Sequence, residues 1–283
     1  WAELLFDIYE HMPRIRQDPG LFSGNFFQKY QKEEFYMNHG LWTSVMDNVV
    51  FVAVSVLIAA ALFLIAYVTE KALYKRHGIT ERILTTRKIA VIGVFAAISA
   101  VLMLFEFPVP FAPPFYELDF SEIPALIGAF AFGPVAGVMI EFCKILLKLL
   151  MKGTSTAFVG DLANFVVGCS FILPASILYL IKKTKKSAML SCLVGTVVMI
   201  LFGTIFNAVY LLPTFAALYG MPLDAIVAMG TEINGSINSV TTLVIFAVAP
   251  LNLLKGASVS VITMLVYKQL SPILKAGAVK KKI

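Results

Sequence analysis

EKALYKRHGITERILTTRK, residues Glu70–Lys88, holds six of the chain's 23 lysines and arginines. It stands between two apolar runs, NVVFVAVSVLIAAALFLIAYV (Asn48–Val68) and IAVIGVFAAISAVLMLF (Ile89–Phe105). Each run is close to the roughly 20 apolar residues an α-helix needs to cross a bilayer. A basic connection between two such runs marks the cytoplasmic side. Outward along the chain the pattern repeats. Lys182-Lys183-Thr184-Lys185-Lys186 and the tail from Lys268 to Lys282 are basic, whereas Phe107–Ser121 and Leu212–Asn238 contain neither Lys nor Arg. The alternation is that of a multi-span membrane protein whose side assignments follow from its lysines and arginines.

Composition agrees. Hydrophobic residues make up 59% and charged residues 14% of the chain, against roughly 25% charged in a soluble domain. The net charge of +6 sits mostly in short connections beside apolar runs, where anionic lipid attracts it; it does not indicate nucleic acid. Cys143, Cys169 and Cys192 lie in apolar runs without CxxC spacing and read as small buried hydrophobes.

Seven spans are expected: Asn48–Val68, Lys88–Phe105, a short Ile123–Phe132, Val135–Leu150, Ala157–Ile181, Ala188–Leu212 and a last one reaching Tyr267. Counting from the basic linker puts the N-terminus outside and the tail inside. Residues 1–47 carry seven acids and four bases, and Trp1, Leu4, Leu5, Ile8, Tyr9 and Met12 form an amphipathic helical stripe. The organisation is then a 1–47 extracytoplasmic extension, a 48–68 span, a 69–87 basic linker, a 88–274 core and a 275–283 basic tail. Lys144, Lys148 and Lys152 fall on one helix face toward the outer half. They read either as a stripe snorkelling to the lipid interface or as a basic face toward a ligand or partner.

No GxxxxGK[ST], HExxH or GxSxG motif occurs, and His11, His39 and His77 lie outside the spans. Enzyme and nucleotide-hydrolysis readings therefore lack their motifs. Polar residues at membrane depth are the stronger lead, since each is costly without a partner. Asn252 and Lys255 share a helix face in APLNLLKG (Ala249–Gly256), with Pro250 read as a first-turn proline of the last span. Asn207 and Tyr210 share one in the sixth span, as ligand contacts or as interhelical glue. Asp161 and Asn164 repeat the spacing in the fifth, facing either a ligand or the Lys144/Lys148 face. FPVPFAPPFYELDFSE (Phe107–Glu122) is stiffened by four prolines and carries Phe115, Tyr116 and Asp119; it suits an interfacial aromatic belt or an outer lid. Ala90, Gly93, Ala96, Ala97 and Ala100 make small-xxx-small spacings that allow close helix approach in lipid.

With TRKIAVIGVFAAISAVLM, FPVPFAPPFYELDFSEIPALIGAFAFGP, KGTSTAFVGDLANF and APLNLLKG in order, Lys88–Leu274 resembles the substrate-binding S components of energy-coupling factor (ECF) transporters, most closely the riboflavin-specific type. The resemblance implies an all-α membrane protein, a six-helix S-component bundle here preceded by one extra N-terminal transmembrane helix, in a bacterial cell membrane. It implies no catalysis and no cofactor, with riboflavin as transported ligand. It also implies a transmembrane coupling subunit, docked on the small-residue face, and two ATPase subunits. Asn252, Lys255 and Asn207 match the family's polar ligand contacts, with vitamin bound near the outer face under the first outer loop. The competing readings are an S component for biotin, thiamin or a flavin nucleotide, a flavin-dependent membrane redox protein, and a structural scaffold.

Overall fold

The computed structural model describes residues 49–154 and 158–275. The amphipathic stripe Trp1–Met12, the rest of residues 1–47, the start of the expected fifth span and the tail from residue 276 lie outside the described residues. The chain divides into two compact units, Trp1–Ala53 and Val54–Ile283. The described part of the first is the opening of one helix; the rest of the description concerns the second.

Ten α-helices are described: α1 (Val49–Arg76), α2 (Thr86–Met103), α3 (Glu122–Phe132), α4 (Pro134–Lys152), α5 (Val159–Ile181), α6 (Lys185–Phe206), α7 (Leu212–Tyr219), α8 (Leu223–Ile233), α9 (Val240–Leu243) and α10 (Ala249–Lys275). A two-stranded antiparallel hairpin joins α2 to α3, with β1 (Phe107–Pro108) pairing β2 (Glu117–Leu118). Five described stretches are long and apolar enough to cross a membrane: Phe51–Arg76, Thr86–Met103, Val159–Ile181, Lys185–Ala217 and Val240–Val266. Starts are set by local chemistry. The Thr85 hydroxyl accepts the Lys88 N–H and the Thr184 hydroxyl accepts that of Ser187, each satisfying one orphan donor of a first turn. Gly133, at φ +107°, makes the sharp corner into α4, and Pro134 supplies a first-turn residue whose missing N–H costs nothing there.

Four boundaries differ from the sequence expectation. First, α1 does not stop at Val68 but continues through Glu70 and Tyr74 to Arg76. The charged residues that look like linker are its last two turns. Glu70 is fully buried, and its Oε2 accepts the Val135 N–H at 2.9 Å, so it caps α4 from another helix. Lys88 Nζ lies 3.0 Å from the Tyr74 hydroxyl. The exposed apolar residues of α1, such as Val56, Leu57 and Leu64, fit a lipid-facing helix, but its C-terminal end has a polar anchor.

Second, Pro250 is not at the beginning of a span. Val240–Val266 is one continuous helical stretch, and Pro250 follows a π-helical turn, Val244–Val248, in which the Ala249 N–H reaches the Val244 carbonyl. Pro213 stands at the same offset after the π turn Asn207–Leu211, where the Leu212 N–H reaches the Asn207 carbonyl. A proline within a helix removes a hydrogen bond and crowds the carbonyl four residues back; in both places that carbonyl, Val209 or Phe246, belongs to the widened turn.

Third, the sixth span, expected to end at Leu212, continues through the π turn into α7. Fourth, the 222–229 stretch of the second outer connection, which reads as a short helix stopped by Gly230, runs on as α8 to Ile233. A Cβ on Gly230 would lie 2.7 Å from Leu243 Cδ1, so this glycine serves close packing rather than termination.

The short α3 is the centre of the bundle. Eleven residues reach about 16 Å at 1.5 Å per residue, too short to cross lipid alone. Nearly every one, from Glu122 to Phe130, is buried, against α2, α4, α5 and α10. A helix enclosed by protein need not match the bilayer's thickness. The main core gathers Ile92 and Ala96 of α2, Leu126 and Phe130 of α3, Ile140 of α4, Phe171 and Tyr179 of α5, Met199 of α6 and Val259 of α10.

Candidate functional site

At the hairpin end of α3 a chain of charges is shut inside the bundle. Lys255 of α10 reaches Asp119 Oδ2 at 2.8 Å and Glu122 Oε1 at 2.9 Å. Lys144 of α4 reaches the same Glu122 oxygen at 3.0 Å, Glu141 Oε2 at 2.7 Å and the Ser121 hydroxyl at 2.7 Å. The Ser121 N–H in turn donates to Asp119 Oδ1 at 2.8 Å. All five charged residues are at most 6% exposed. In low dielectric such charges persist only when paired and hydrogen-bonded. Burial works to raise the Asp119 carboxyl, but the ammoniums of Lys255 and Lys144 and the bonds from Lys255 and Ser121 outweigh it and hold it at about 2. It is therefore anionic at any physiological pH and ties the hairpin to the last helix.

Beside this chain lies a layer of amides. Tyr116 of the hairpin donates its hydroxyl to Asn207 Oδ1 at 3.0 Å, and Asn207 Nδ2 donates to the Gly203 carbonyl at 2.8 Å. Asn252, one turn before Lys255, is 5% exposed. Its Nδ2 has no hydrogen-bond partner among the described residues and lies against Gly203. A buried amide donor left without an acceptor is costly, and here it sits next to a lysine and a second amide. Phe115 closes the layer, 4.6 Å from the Tyr116 ring and stacked at 5.6 Å on Phe215 of α7. The hairpin thus packs inward, with Val109 and Ala112 in one apolar cluster with Leu212, Ile226 and Leu251.

The structure brings together Asn252, Lys255, Asn207, Phe115, Tyr116 and Asp119. It separates others. Asp161 forms a buried pair with Lys148, Oδ1 to Nζ 2.7 Å, so the alternative of a contact to the lysine face holds for it. Asn164 is half-buried on the next turn of α5, and Tyr210 is half-buried with its ring stacked on Phe206 at 5.4 Å.

The lysine face is the clearest correction. Lys144 is 0% and Lys148 7% exposed, so neither snorkels to the lipid interface. Only Lys152 behaves as a rim residue, half-exposed and 2.8 Å from Glu106. The two acids that pair with Lys144, Glu122 and Glu141, do not stand out in the sequence as site residues. The available signal was acids facing the lysines on the same or the neighbouring helix: Glu141 precedes Lys144 by one helical turn, and Glu122 opens α3.

The small-residue face divides as well. Ala90, Gly93 and Ala97 are exposed, and nothing lies within 4 Å of a Cβ built on Gly93. Ala96 and Ala100 are buried, Ala96 in the main core. A docking surface including those two is ruled out, because the protein's own helices occupy that side of α2.

Comparison with known proteins follows the same residues. The family profile described as "ECF transporter, substrate-specific component" matches residues 87–267. The riboflavin transporter RibU of Staphylococcus aureus (strain TCH60) is 33% identical over 189 residues, covering 67% of this chain and 93% of that protein. The riboflavin transporter FmnP of Bacillus subtilis (strain 168) is 32% identical over 187 residues, covering 66% and 93%. Among solved structures, the one titled "Structure and mechanism of the S component of a bacterial ECF transporter" superposes with a TM-score of 0.53 at 35% identity. It covers 67% of this chain and 98% of that one.

Proposed function

This chain belongs to the substrate-specific components of ECF transporters, and from that premise we propose that it captures riboflavin from outside the cell in the amide and charge layer beneath the Phe107–Ser121 hairpin. The family is one of transporter subunits and not of enzymes. The observation that carries the site is the conjunction of Asn252, whose amide donor has no partner among the described residues, with Lys255 and Asn207, all three buried and the last two held by Asp119 and Tyr116 of one loop. Donors of this kind suit the carbonyls of a flavin ring and the hydroxyls of its ribityl chain. Phe115 and Tyr116 offer faces against which a planar ring stacks.

Entry requires the hairpin to lift. That motion breaks the Asp119–Lys255 pair and the Tyr116–Asn207 hydrogen bond, freeing one donor of the Lys255 ammonium, which stays paired with Glu122, and the Asn207 amide oxygen for the vitamin. In this reading the buried charges are part of the closed lid's latch, and binding replaces one set of partners by another. The rest of the assignment follows the family. A transmembrane coupling subunit docks on the exposed Ala90/Gly93/Ala97 face of α2 and carries two ATPase subunits. That division of labour supplies the ATP hydrolysis for which this chain has no motif. The basic ends, Lys71–Lys88 and Lys182–Lys186, face the cytoplasm, and the N-terminus lies outside. The six-helix vitamin-binding core comprises residues 88–274, and the extension before it is additional.

Fluorescence titration of the purified protein with riboflavin tests the site. Lys255→Ala and Asn252→Ala each remove one buried partner, worth about 1–3 kcal/mol or roughly 5- to 150-fold in affinity. Unchanged affinity in both refutes the assignment.

A further inference from the structure

Between the two asparagines of the proposed site stands a residue with no side chain. Gly203 lies on α6 where α10 crosses it. A Cβ built there would be 2.5 Å from Asn252 Nδ2, 3.4 Å from Asn252 Cγ and 3.3 Å from Val167 Cγ1. Its carbonyl accepts the Asn207 amide at 2.8 Å. The same helix pair comes close again one turn further along α10, where a Cβ on Gly256 would meet Thr196 Cγ2 at 2.7 Å and Oγ1 at 2.9 Å. Small residues at a crossing let helix backbones approach closely in lipid. At Gly203 the space so opened is filled by a polar amide and not by a hydrocarbon side chain.

We infer that Gly203 is a positioning and specificity-determining residue of the vitamin site. By lacking a Cβ it admits the Asn252 amide beside α6, and through its carbonyl it fixes the direction of the Asn207 amide. The inference rests on the reading of Asn252 as a ligand contact. The physical argument is one of room. Asn252 is 5% exposed and Val167 8% exposed, so neither side of the gap opens to solvent. A methyl group at position 203 has nowhere to go except into the space of the Asn252 side chain. That side chain has only two rotatable bonds, and a shift to another rotamer carries its donor away from its present place. A displacement of this kind removes a directional hydrogen bond, which weakens steeply with angle and distance, while leaving the apolar wall of the site intact.

A double-mutant cycle on the full chain, read by riboflavin titration, separates this role from ordinary packing. Gly203→Ala is expected to weaken binding by at least about tenfold, within the range for a lost buried hydrogen bond. In the Asn252→Ala background the amide is gone and the methyl has space. There Gly203→Ala is expected to cost less than about twofold more, because residues acting through one contact are not additive. A glycine needed for its packing on Val167 or for the α6 backbone, and not for Asn252, would give the full loss in both backgrounds, and that result overturns the inference, as does wild-type affinity in Gly203→Ala. If Gly203→Ala alone does not fold, Asn252→Ala/Gly203→Ala is expected to fold and to bind within about twofold of Asn252→Ala, since the amide that blocks the methyl is gone; failure of that variant to fold overturns the inference. Asn252→Ala taken alone reports separately on the parent reading. If it binds as tightly as the unaltered protein, the ligand role of Asn252 fails and the role of Gly203 with it. Weakened Asn252→Ala with an additive Gly203→Ala overturns only the inference.

Discussion

Removing the ammonium of Lys148 decides whether the α4 lysines hold the bundle together or merely reach its rim. Lys148 Nζ lies 2.7 Å from Asp161 Oδ1, and the two side chains are 9% and 3% exposed. Asp161 Oδ2 has no other partner among the described residues, so Lys148→Met strands a carboxylate. Breaking a buried pair from one side costs about 3–5 kcal/mol, whereas replacing both partners by apolar residues is often neutral. For a unit of roughly 150–250 residues each kcal/mol moves the thermal midpoint by about 2–4 °C, giving a drop of about 6–20 °C. The assay is thermal unfolding in detergent, followed by the helical circular dichroism signal. Lys148→Met is expected to fall by that amount, and Lys148→Met/Asp161→Leu to recover most of it. Riboflavin affinity of the double variant should stay within about threefold of the parent, since neither residue touches the proposed layer. An exposed pair is worth about 0–1 kcal/mol. A drop below about 4 °C for the single variant, with no recovery in the double, would refute the buried pair and return the lysines to the lipid interface.

Other expectations follow from the same geometry. Ala97→Trp, on the exposed side of α2, should abolish cellular uptake while riboflavin binding in detergent survives; Ala96→Trp, on the buried side, should destroy both by overpacking the core. Cysteines introduced at exposed Gly235 and Lys182 should label in intact cells only at position 235, and the reverse pattern would invert the topology. Burial, followed by the hydrogen bond and charge of Glu106, raises the Glu117 carboxyl from 4.5 to about 7. A raised carboxyl favours folding while protonated, so its contribution is complete below about 4.5 and lost as pH rises through 7. The thermal midpoint should therefore fall more steeply between those values in the parent than in Glu117→Gln, and parallel profiles would remove Glu117 from the account. Deleting residues 1–80 should leave riboflavin affinity within about tenfold, or 1.4 kcal/mol. It should nevertheless lower thermal stability, because the Val135 N–H loses the Glu70 carboxylate; a larger affinity loss would make the extension part of the site.

The sequence by itself determined the environment, and its lysines and arginines carry the expectation of sidedness. Runs such as Asn48–Val68 are stable as helices only in lipid, and basic clusters such as Lys182–Lys186 fall where a charge need not cross the bilayer. Short-range spacing was enough to pair Asn252 with Lys255, because three residues along a helix is one turn whatever surrounds it. The tertiary structure alone decided what those groups face. The i, i+4, i+8 spacing of Lys144, Lys148 and Lys152 defines a face but not its neighbour. That face turned inward because Glu122, Glu141 and Asp161 supply carboxylates from α3, α4 and α5. The small residues of α2 likewise share a spacing, yet Ala96 and Ala100 are core and Ala90, Gly93 and Ala97 are surface. Pro250 reads locally as a helix start, but a π turn absorbs it within a continuous helix, at the same offset as Pro213. Glu70 reads as linker, but it caps a helix 65 residues away. Helical periodicity is written in neighbouring residues, whereas burial and ion pairing depend on which helices meet, and that is fixed only when the whole bundle closes.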